Sequence, residues 1–106
     1  MECKSFTAHI FVAGDVRIAK AVCAKYVEQG LCVSISECDY FYTGGNERGI
    51  DVCLINYARF PSGYHTITEQ AKELAVLLRD GLGQRSVSVV TDYQSFYLTK
   101  EAHDEA

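Results

Sequence analysis

The strongest candidate for ligand chemistry is a glycine-rich segment in the middle of the chain, Thr43-Gly44-Gly45-Asn46-Glu47-Arg48-Gly49. Glycines let a backbone approach an anion closely and can present N–H groups to phosphate oxygens, and Arg48 adds a positive charge. The segment lacks the Lys-Ser/Thr ending of a P-loop. It is also the strongest turn signal in the sequence, so a hairpin turn with solvated polar residues is the alternative interpretation.

Aromatic and basic residues on either side extend this predicted ligand site. Tyr42 directly precedes the segment, Tyr57 lies near the end of the next predicted strand, and Arg59 directly follows that strand. Because Arg48 and Arg59 flank opposite ends of that strand, only an oligomer would bring them together. The tyrosines would supply stacking surfaces, or alternatively pack within the sheet or an interface. The predicted ligand-binding residues are Tyr42, Thr43, Gly44, Gly45, Arg48, Tyr57 and Arg59.

Residue types used in catalysis are present but form no recognisable motif. His9, His65 and His103 fall in a predicted strand, a loop and the tail, without the H-x-H or H-x-x-E spacing of metal ligands. A nucleophilic cysteine–histidine pair is geometrically possible in any fold, but the sequence indicates no nucleophile elbow and no group that would orient the histidine. We predict no catalytic residues, no metal and no cofactor, and a binding protein in preference to an enzyme. Lost turnover in variants of Glu47, Asp51 or His65 would instead indicate a hydrolase.

Length, charge and apolar content predict one cytoplasmic domain covering residues 1–106. The 10 Lys and Arg residues against 14 Asp and Glu residues give a formal net charge of −4. That balance argues against a nucleic-acid partner, because such affinity depends on clustered cations. No stretch approaches the ~20 apolar residues that span a bilayer, and the first residues lack the apolar core of a signal peptide. We therefore expect no membrane association.

The five cysteines are predicted to stay reduced. Their number is odd, none belongs to a C-x-x-C pair, and Cys23, Cys32 and Cys53 fall within apolar runs. A disulfide framework favours an even count and loop positions. Thiols that act as small hydrophobic side chains are the simpler interpretation.

Hydrophobic periodicity predicts a strand, a helix and a second strand in the first half of the chain. An apolar run over residues 8–13 predicts the first strand. Spacing of three and four residues from Val16 predicts a helix that is capped by Asp15 and ended by Gly30. The period then becomes two, but its parity slips near residues 36–38, which predicts a bulge or a true loop there.

The second half of the chain predicts a further strand, a helix and two short strands. A strand over residues 50–58 follows the glycine-rich segment, and the two strands around that segment form a hairpin. Thr66-x-x-Glu69 predicts a capping box at the start of the second helix. A strand over residues 86–90 and a short edge strand over residues 95–98 complete the domain. The charged tail from Glu101 is predicted to be frayed.

The order β-α-β-β-α-β with one added strand predicts an α+β, ferredoxin-like fold. Right-handed connections place both helices on one face of an antiparallel sheet. The other face then carries Tyr, Phe and Cys side chains and would be a sizeable apolar patch if exposed. Self-association would cover it, so we predict a homo-oligomer, either a dimer or a trimer.

With this order, the chain resembles the CutA and PII-like group of ferredoxin-like proteins. The matching features are Gln29-Gly30-Leu31-Cys32-Val33 and the hairpin containing Tyr42-Thr43-Gly44-Gly45, followed by a proline-containing loop and a second helix. CutA-like proteins carry a tryptophan in that hairpin, and this chain has none. The resemblance implies trimers with ligand sites at the subunit boundaries.

Two further resemblances point to different partners. Ile10-Phe11-Val12-Ala13-Gly14-Asp15 resembles the first-strand signature of RNA-recognition motifs, with Phe11 as the stacking residue. No aromatic residue follows Arg48-Gly49, so the stacking platform of that family is missing. Residues 9–14, 42–45 and 54–57 with Phe60-Pro61 resemble small tailed-phage proteins. That resemblance implies a phage accessory protein in the host cytoplasm that interferes with a host defence system.

Two functional hypotheses follow from the sequence. The first is a non-enzymatic, oligomeric binding protein that sequesters a small nucleotide-like or phosphorylated ligand. The alternative is a protein-binding inhibitor of a host protein, which would act through the acidic surface or a sheet edge by electrostatic complementarity.

Overall fold

A computed structural model of the chain describes residues 1–59 and 61–100, so Phe60, His103 and the tail from Glu101 lie outside the described residues. The elements follow one another as β1 (Thr7–Ala13), α1 (Val16–Tyr26) with a 3-10 turn (Val27–Gln29), β2 (Ser34–Tyr42), β3 (Gly45–Ile55), α2 (Tyr64–Gly81), β4 (Ser86–Thr91) and β5 (Ser95–Thr99). The strand order is β2-β3-β1-β4-β5, and every neighbouring pair is antiparallel. This confirms the predicted ferredoxin-like α+β fold, with β5 as the added edge strand.

Both helices pack against one face of the sheet. Strand residues of one parity, such as Ile10 and Val52, are fully buried together with Leu74 of α2 and Cys23 of α1. This alternation arises because successive side chains of a strand point to opposite faces. We call the opposite face the open face. Its central side chains are His9, Phe11, Cys38, Tyr40, Glu47, Asp51, Cys53, Ser88 and Tyr97.

The predicted bulge or loop near residues 36–38 is wrong. The register between β2 and β3 is unbroken from Ser34 opposite Cys53 to Tyr42 opposite Gly45. The larger side chains of β2 switch from odd to even positions because the first part of the strand is covered on its helix side and the later part on the open face. Ile35 packs at the edge of the helix-side core, whereas Tyr40, further along, is half-buried on the open face.

Several element ends differ from the predicted ones. Only Thr43 and Gly44 form the turn between β2 and β3, and residues 45–49 belong to β3, because long strand pairing outweighs the turn preference of their glycines. The strand ends at Ile55, before residue 58. The helix α2 begins two residues before Thr66 and has no side-chain cap, so the capping-box prediction is wrong.

The predicted start of α1 is confirmed. The Asp15 carboxylate accepts a 2.8 Å hydrogen bond from the Arg17 backbone N–H, as an N-cap does. The α-helix itself ends at Tyr26, before the predicted end, and Gly30 instead closes the 3-10 turn that follows, with a φ of 105°, a conformation that favours glycine. All five cysteines are free thiols. Among the described residues, no helix has both the length and the apolar character needed to cross a membrane.

Candidate functional site

The predicted ligand-binding residues lie at two ends of β3. Tyr42 is exposed beside the turn formed by Thr43 and Gly44, and Gly45 and Arg48 lie in the first residues of the strand. The exposed Arg48 guanidinium is 4.0 Å from the Glu37 carboxylate. Tyr57 and Arg59 follow the other end of the strand. Eleven residues at about 3.4 Å each separate these ends by roughly 35 Å. One chain therefore does not bring the two groups together.

Tyr57 lies at a recess of its own beside α2. The Cys32 thiol donates a 3.5 Å hydrogen bond to the Tyr57 hydroxyl oxygen. This contact, with a smaller effect of burial, raises the pKa of Tyr57 to about 12. The two side chains line a cavity of about 180 Å³ together with Ile67 and Gln70. This recess is small and separate from the hairpin.

The open face holds a cluster that the sequence analysis did not identify, made of His9, Asp51 and Cys53. The His9 Nδ1 atom lies 2.9 Å and 3.2 Å from the two Asp51 carboxylate oxygens. On the other side of the ring, His9 Nε2 is 3.8 Å from the Cys53 Sγ atom. In the described part of the chain, no group of three or more such side chains is placed to hold a metal ion. The cluster can hold and move a proton.

Two aromatic rings lie next to this cluster. The Phe11 ring stacks on the His9 ring, with centroids 5.7 Å apart and an interplanar angle of 4°. Its other contact is the Tyr40 ring, edge to face at 6.3 Å. The Tyr40 hydroxyl donates a 2.6 Å hydrogen bond to the Ile50 carbonyl oxygen. Burial, followed by contacts with Cys38 and the charge of Asp51, raises the pKa of Tyr40, so its hydroxyl stays protonated at neutral pH.

A pocket of about 210 Å³ opens beside Phe11 and Tyr40 at the end of β1. Its polar lining also includes Glu47, Gln84 and two serines of β4, Ser86 and Ser88. Aromatic faces attract cations through their quadrupole, and a carboxylate adds a negative charge. We call this recess the open-face pocket. Its chemistry suits a ligand with a positive centre and hydrogen-bonding groups.

His9 was expected to be isolated, and the structure shows that it is not. In β1, His9 pairs with Cys53 of β3, and its neighbour Phe11 pairs with Asp51. The alternation around Ile10 and Val52 already indicates that His9, Asp51 and Cys53 share one face. The missing information was the pairing of β1 with β3, which only the ferredoxin-like strand order supplies.

No family model and no curated protein sequence matches the chain. Among solved structures, it is similar to a phage SAM lyase in the apo state, with 22% identity, a TM-score of 0.75, and coverage of 91% of this chain and 90% of that one. The phage SAM lyase in complex with S-methyl-5'-thioadenosine gives 20% identity, a TM-score of 0.69 and 92% coverage of both chains. The periplasmic divalent cation tolerance protein CutA from Archaeoglobus fulgidus gives 11% identity and a TM-score of 0.51, over 96% of this chain and 91% of that one. The chain has a CutA-like architecture. The predicted resemblance is thus confirmed at the level of the fold.

Proposed function

We propose that this protein binds S-adenosylmethionine at the open-face pocket and cleaves the bond between its sulfonium sulfur and the Cγ carbon of its methionine part. S-methyl-5'-thioadenosine leaves with the electron pair of that bond, and the substrate's own carboxylate closes on Cγ to give homoserine lactone, so no co-reactant is needed. The observation that carries the proposal is the likeness of fold, along almost the whole of both chains, to a phage SAM lyase that binds this thioadenosine. The role of a phage accessory protein in the host cytoplasm, which removes a ligand needed by host defence, accords with the same likeness.

The lining of the open-face pocket supports a sulfonium ligand. S-adenosylmethionine carries a positive sulfur, and the rings of Phe11 and Tyr40 with the carboxylate of Glu47 offer the contacts that attract such a centre. The serine hydroxyls of β4 can bind the polar groups of a ribose or an amino acid. The overall net charge of −4 disfavours strongly anionic ligands such as polyphosphates.

The size of the pocket supports assembly of the site from more than one chain. A volume of about 210 Å³ is below the roughly 300–1,000 Å³ typical of small-molecule sites. A second copy placed over the pocket end of the open face, beyond the cluster of His9, Asp51 and Cys53, would enlarge the enclosure and cover the exposed ring of Tyr97. We propose that the hairpin of this neighbour contributes the predicted ligand-binding residues, Tyr42, Thr43, Gly44, Gly45 and Arg48, while Tyr57 and Arg59 lie at the other end of β3, away from this contact.

The direct test incubates purified protein with S-adenosylmethionine and measures S-methyl-5'-thioadenosine by chromatography. We expect product release that falls at least tenfold in Glu47→Gln and Tyr40→Leu, because the first variant removes the negative charge and the second removes an aromatic face that would attract the sulfonium. The matched controls are Glu69→Gln on α2 and Tyr93→Leu in the β4–β5 turn, which lie outside the pocket lining and should retain wild-type rates.

Binding is measured separately by thermal shift with each compound. A ligand at 100 times its dissociation constant stabilises a folded protein by about 2.7 kcal/mol. A thermal shift without product would support ligand sequestration and refute cleavage. The absence of both product and a thermal shift would refute the proposal. A host protein recovered with the chain in a stoichiometric amount would then support the alternative function of a protein-binding inhibitor.

A further inference from the structure

The geometry of His9, Asp51 and Cys53 matches that of a thiol nucleophile with an oriented base. We propose that Cys53 is a covalent modification site that reacts with small neutral or cationic soft electrophiles, with His9 as the proton acceptor and Asp51 as its positioning residue. This site is distinct from the proposed cleavage, because it acts on a different bond and needs no sulfonium ligand.

The orientation of the His9 ring is fixed from two sides. Asp51 accepts the Nδ1–H, at 2.9 Å to its nearer oxygen, so the neutral ring carries its lone pair on Nε2. The Phe11 ring, stacked in parallel on the imidazole, restricts its rotation. The Nε2 atom therefore faces the Cys53 sulfur at 3.8 Å, within reach of the thiol proton. An orienting carboxylate, a base and a nucleophile in this sequence are the parts of a catalytic triad.

The reaction balances with the groups present. The Cys53 sulfur attacks the electrophilic carbon, an S–C bond forms, and the leaving group departs with the electron pair of its bond. The thiol proton moves to His9 Nε2, and the resulting imidazolium is stabilised by the Asp51 carboxylate. No oxidant or other co-reactant is needed.

The surroundings of Cys53 make a proton acceptor necessary for its reaction and favour neutral reagents over anionic ones. Burial, and after it the charge of Asp51, raises the pKa of the Cys53 thiol, so little thiolate is present at neutral pH. A reaction at useful rate therefore needs a proton acceptor beside the sulfur. The same Asp51 charge repels anionic reagents at short range. A neutral alkylating agent should react faster than its anionic analogue.

Cys38 provides an internal control on the same face. It is half-buried like Cys53, but it lies opposite Gly49, four residues along β3 and about 13 Å away. Native protein is treated with iodoacetamide or iodoacetate at pH 7, and the modification of each cysteine is followed by peptide mass spectrometry. We expect Cys53 to react with iodoacetamide about tenfold faster than Cys38 or more. The preference of Cys53 for iodoacetamide over iodoacetate should also exceed that of Cys38.

Two variants separate the roles of the base and its positioning residue. His9→Gln removes the acceptor and should bring the iodoacetamide rate of Cys53 down to that of Cys38. Asp51→Asn should lower that rate and also reduce the discrimination against iodoacetate, a change that loss of packing alone would not produce. A wild-type Cys53 that reacts no faster than Cys38 overturns the proposal without any variant. A rate that is unchanged in folded His9→Gln overturns it as well.

Discussion

Replacing Gly49 with alanine tests whether the Tyr40 ring is held against the β3 backbone. Gly49 lies in β3 with ordinary extended geometry, so alanine is compatible with its backbone. An added Cβ would, however, lie 1.9 Å from Tyr40 Cε2 and 2.4 Å from its Cδ2. These are ring atoms of a half-buried side chain that is tied to the Ile50 carbonyl. The ring must therefore move, and its hydrogen bond must break or stretch.

The magnitude follows from three contributions. Displacing a packed side chain costs about 1–3 kcal/mol, and losing the hydrogen bond costs about 1 kcal/mol. Alanine reduces the freedom of the unfolded chain relative to glycine, which offsets about 0.5 kcal/mol. We expect Gly49→Ala to lower the free energy of unfolding by about 1.5–3.5 kcal/mol. The moved ring should also close or deform the open-face pocket.

Gly45 is the matched control because it too lies in β3 beside a tyrosine. Its added Cβ would be 3.2 Å from Tyr42, an exposed side chain that is free to shift. Urea unfolding at fixed protein concentration should therefore show little change for Gly45→Ala. In a Tyr40→Ala background, Gly49→Ala should no longer destabilise, because the clashing ring is gone. Equal destabilisation in both backgrounds, or an equal effect of Gly45→Ala, would refute the reasoning.

Three further outcomes are expected. Leu74→Ala, at a fully buried position of α2, should lower the free energy of unfolding by about 2–5 kcal/mol in urea because it leaves a cavity. Burial raises the pKa of Asp80, but hydrogen bonds from Arg79 and Lys100 outweigh it and hold that pKa below its usual value. The stabilisation is thus complete above pH about 4 and lost as pH falls through the lowered pKa. Asp80→Asn should therefore lower the urea midpoint at pH 7, and its difference from wild type should shrink as the pH falls below about 4. Burial raises the pKa of the Cys23 thiol to about 11, so this thiol is both protonated and inaccessible in the folded protein. Modification of Cys23 by Ellman's reagent, followed by mass spectrometry, should therefore be no faster than unfolding of the protein.

The element order could be predicted from the sequence because the helix and strand periods are clean in most segments. The spacing from Val16 and the apolar run around Ile10 gave the correct elements. The prediction was wrong where burial changes face within one strand, since the alternation near Cys38 then mimics a bulge. It was also wrong where glycines lie inside a strand, because Gly45 and Gly49 resemble turn residues until their partners across the hairpin are known.

The open-face cluster depends on contacts between distant segments. His9 and Asp51 are 42 residues apart, and their hydrogen bond exists only because β1 and β3 are neighbours in the sheet. Spacing rules detect ligands that lie on one helix or one loop, so they could not reveal this pair. The glycine-rich hairpin, in contrast, was visible because all of its residues are consecutive.

The central place of β1 affects how the chain can be made. Although β1 precedes the other strands of the sheet in the chain, Thr7 pairs with Ile55 and Ala8 with Thr91. The hairpin of β2 and β3 can form as soon as both have left the ribosome, since only two residues join them, whereas β1 must wait for loop closures over much longer distances. The strand β1 gains its second neighbour only after β4, the fourth strand in chain order, has been translated. A nascent chain stalled before β4 would present a bare strand edge to any other unfinished copy.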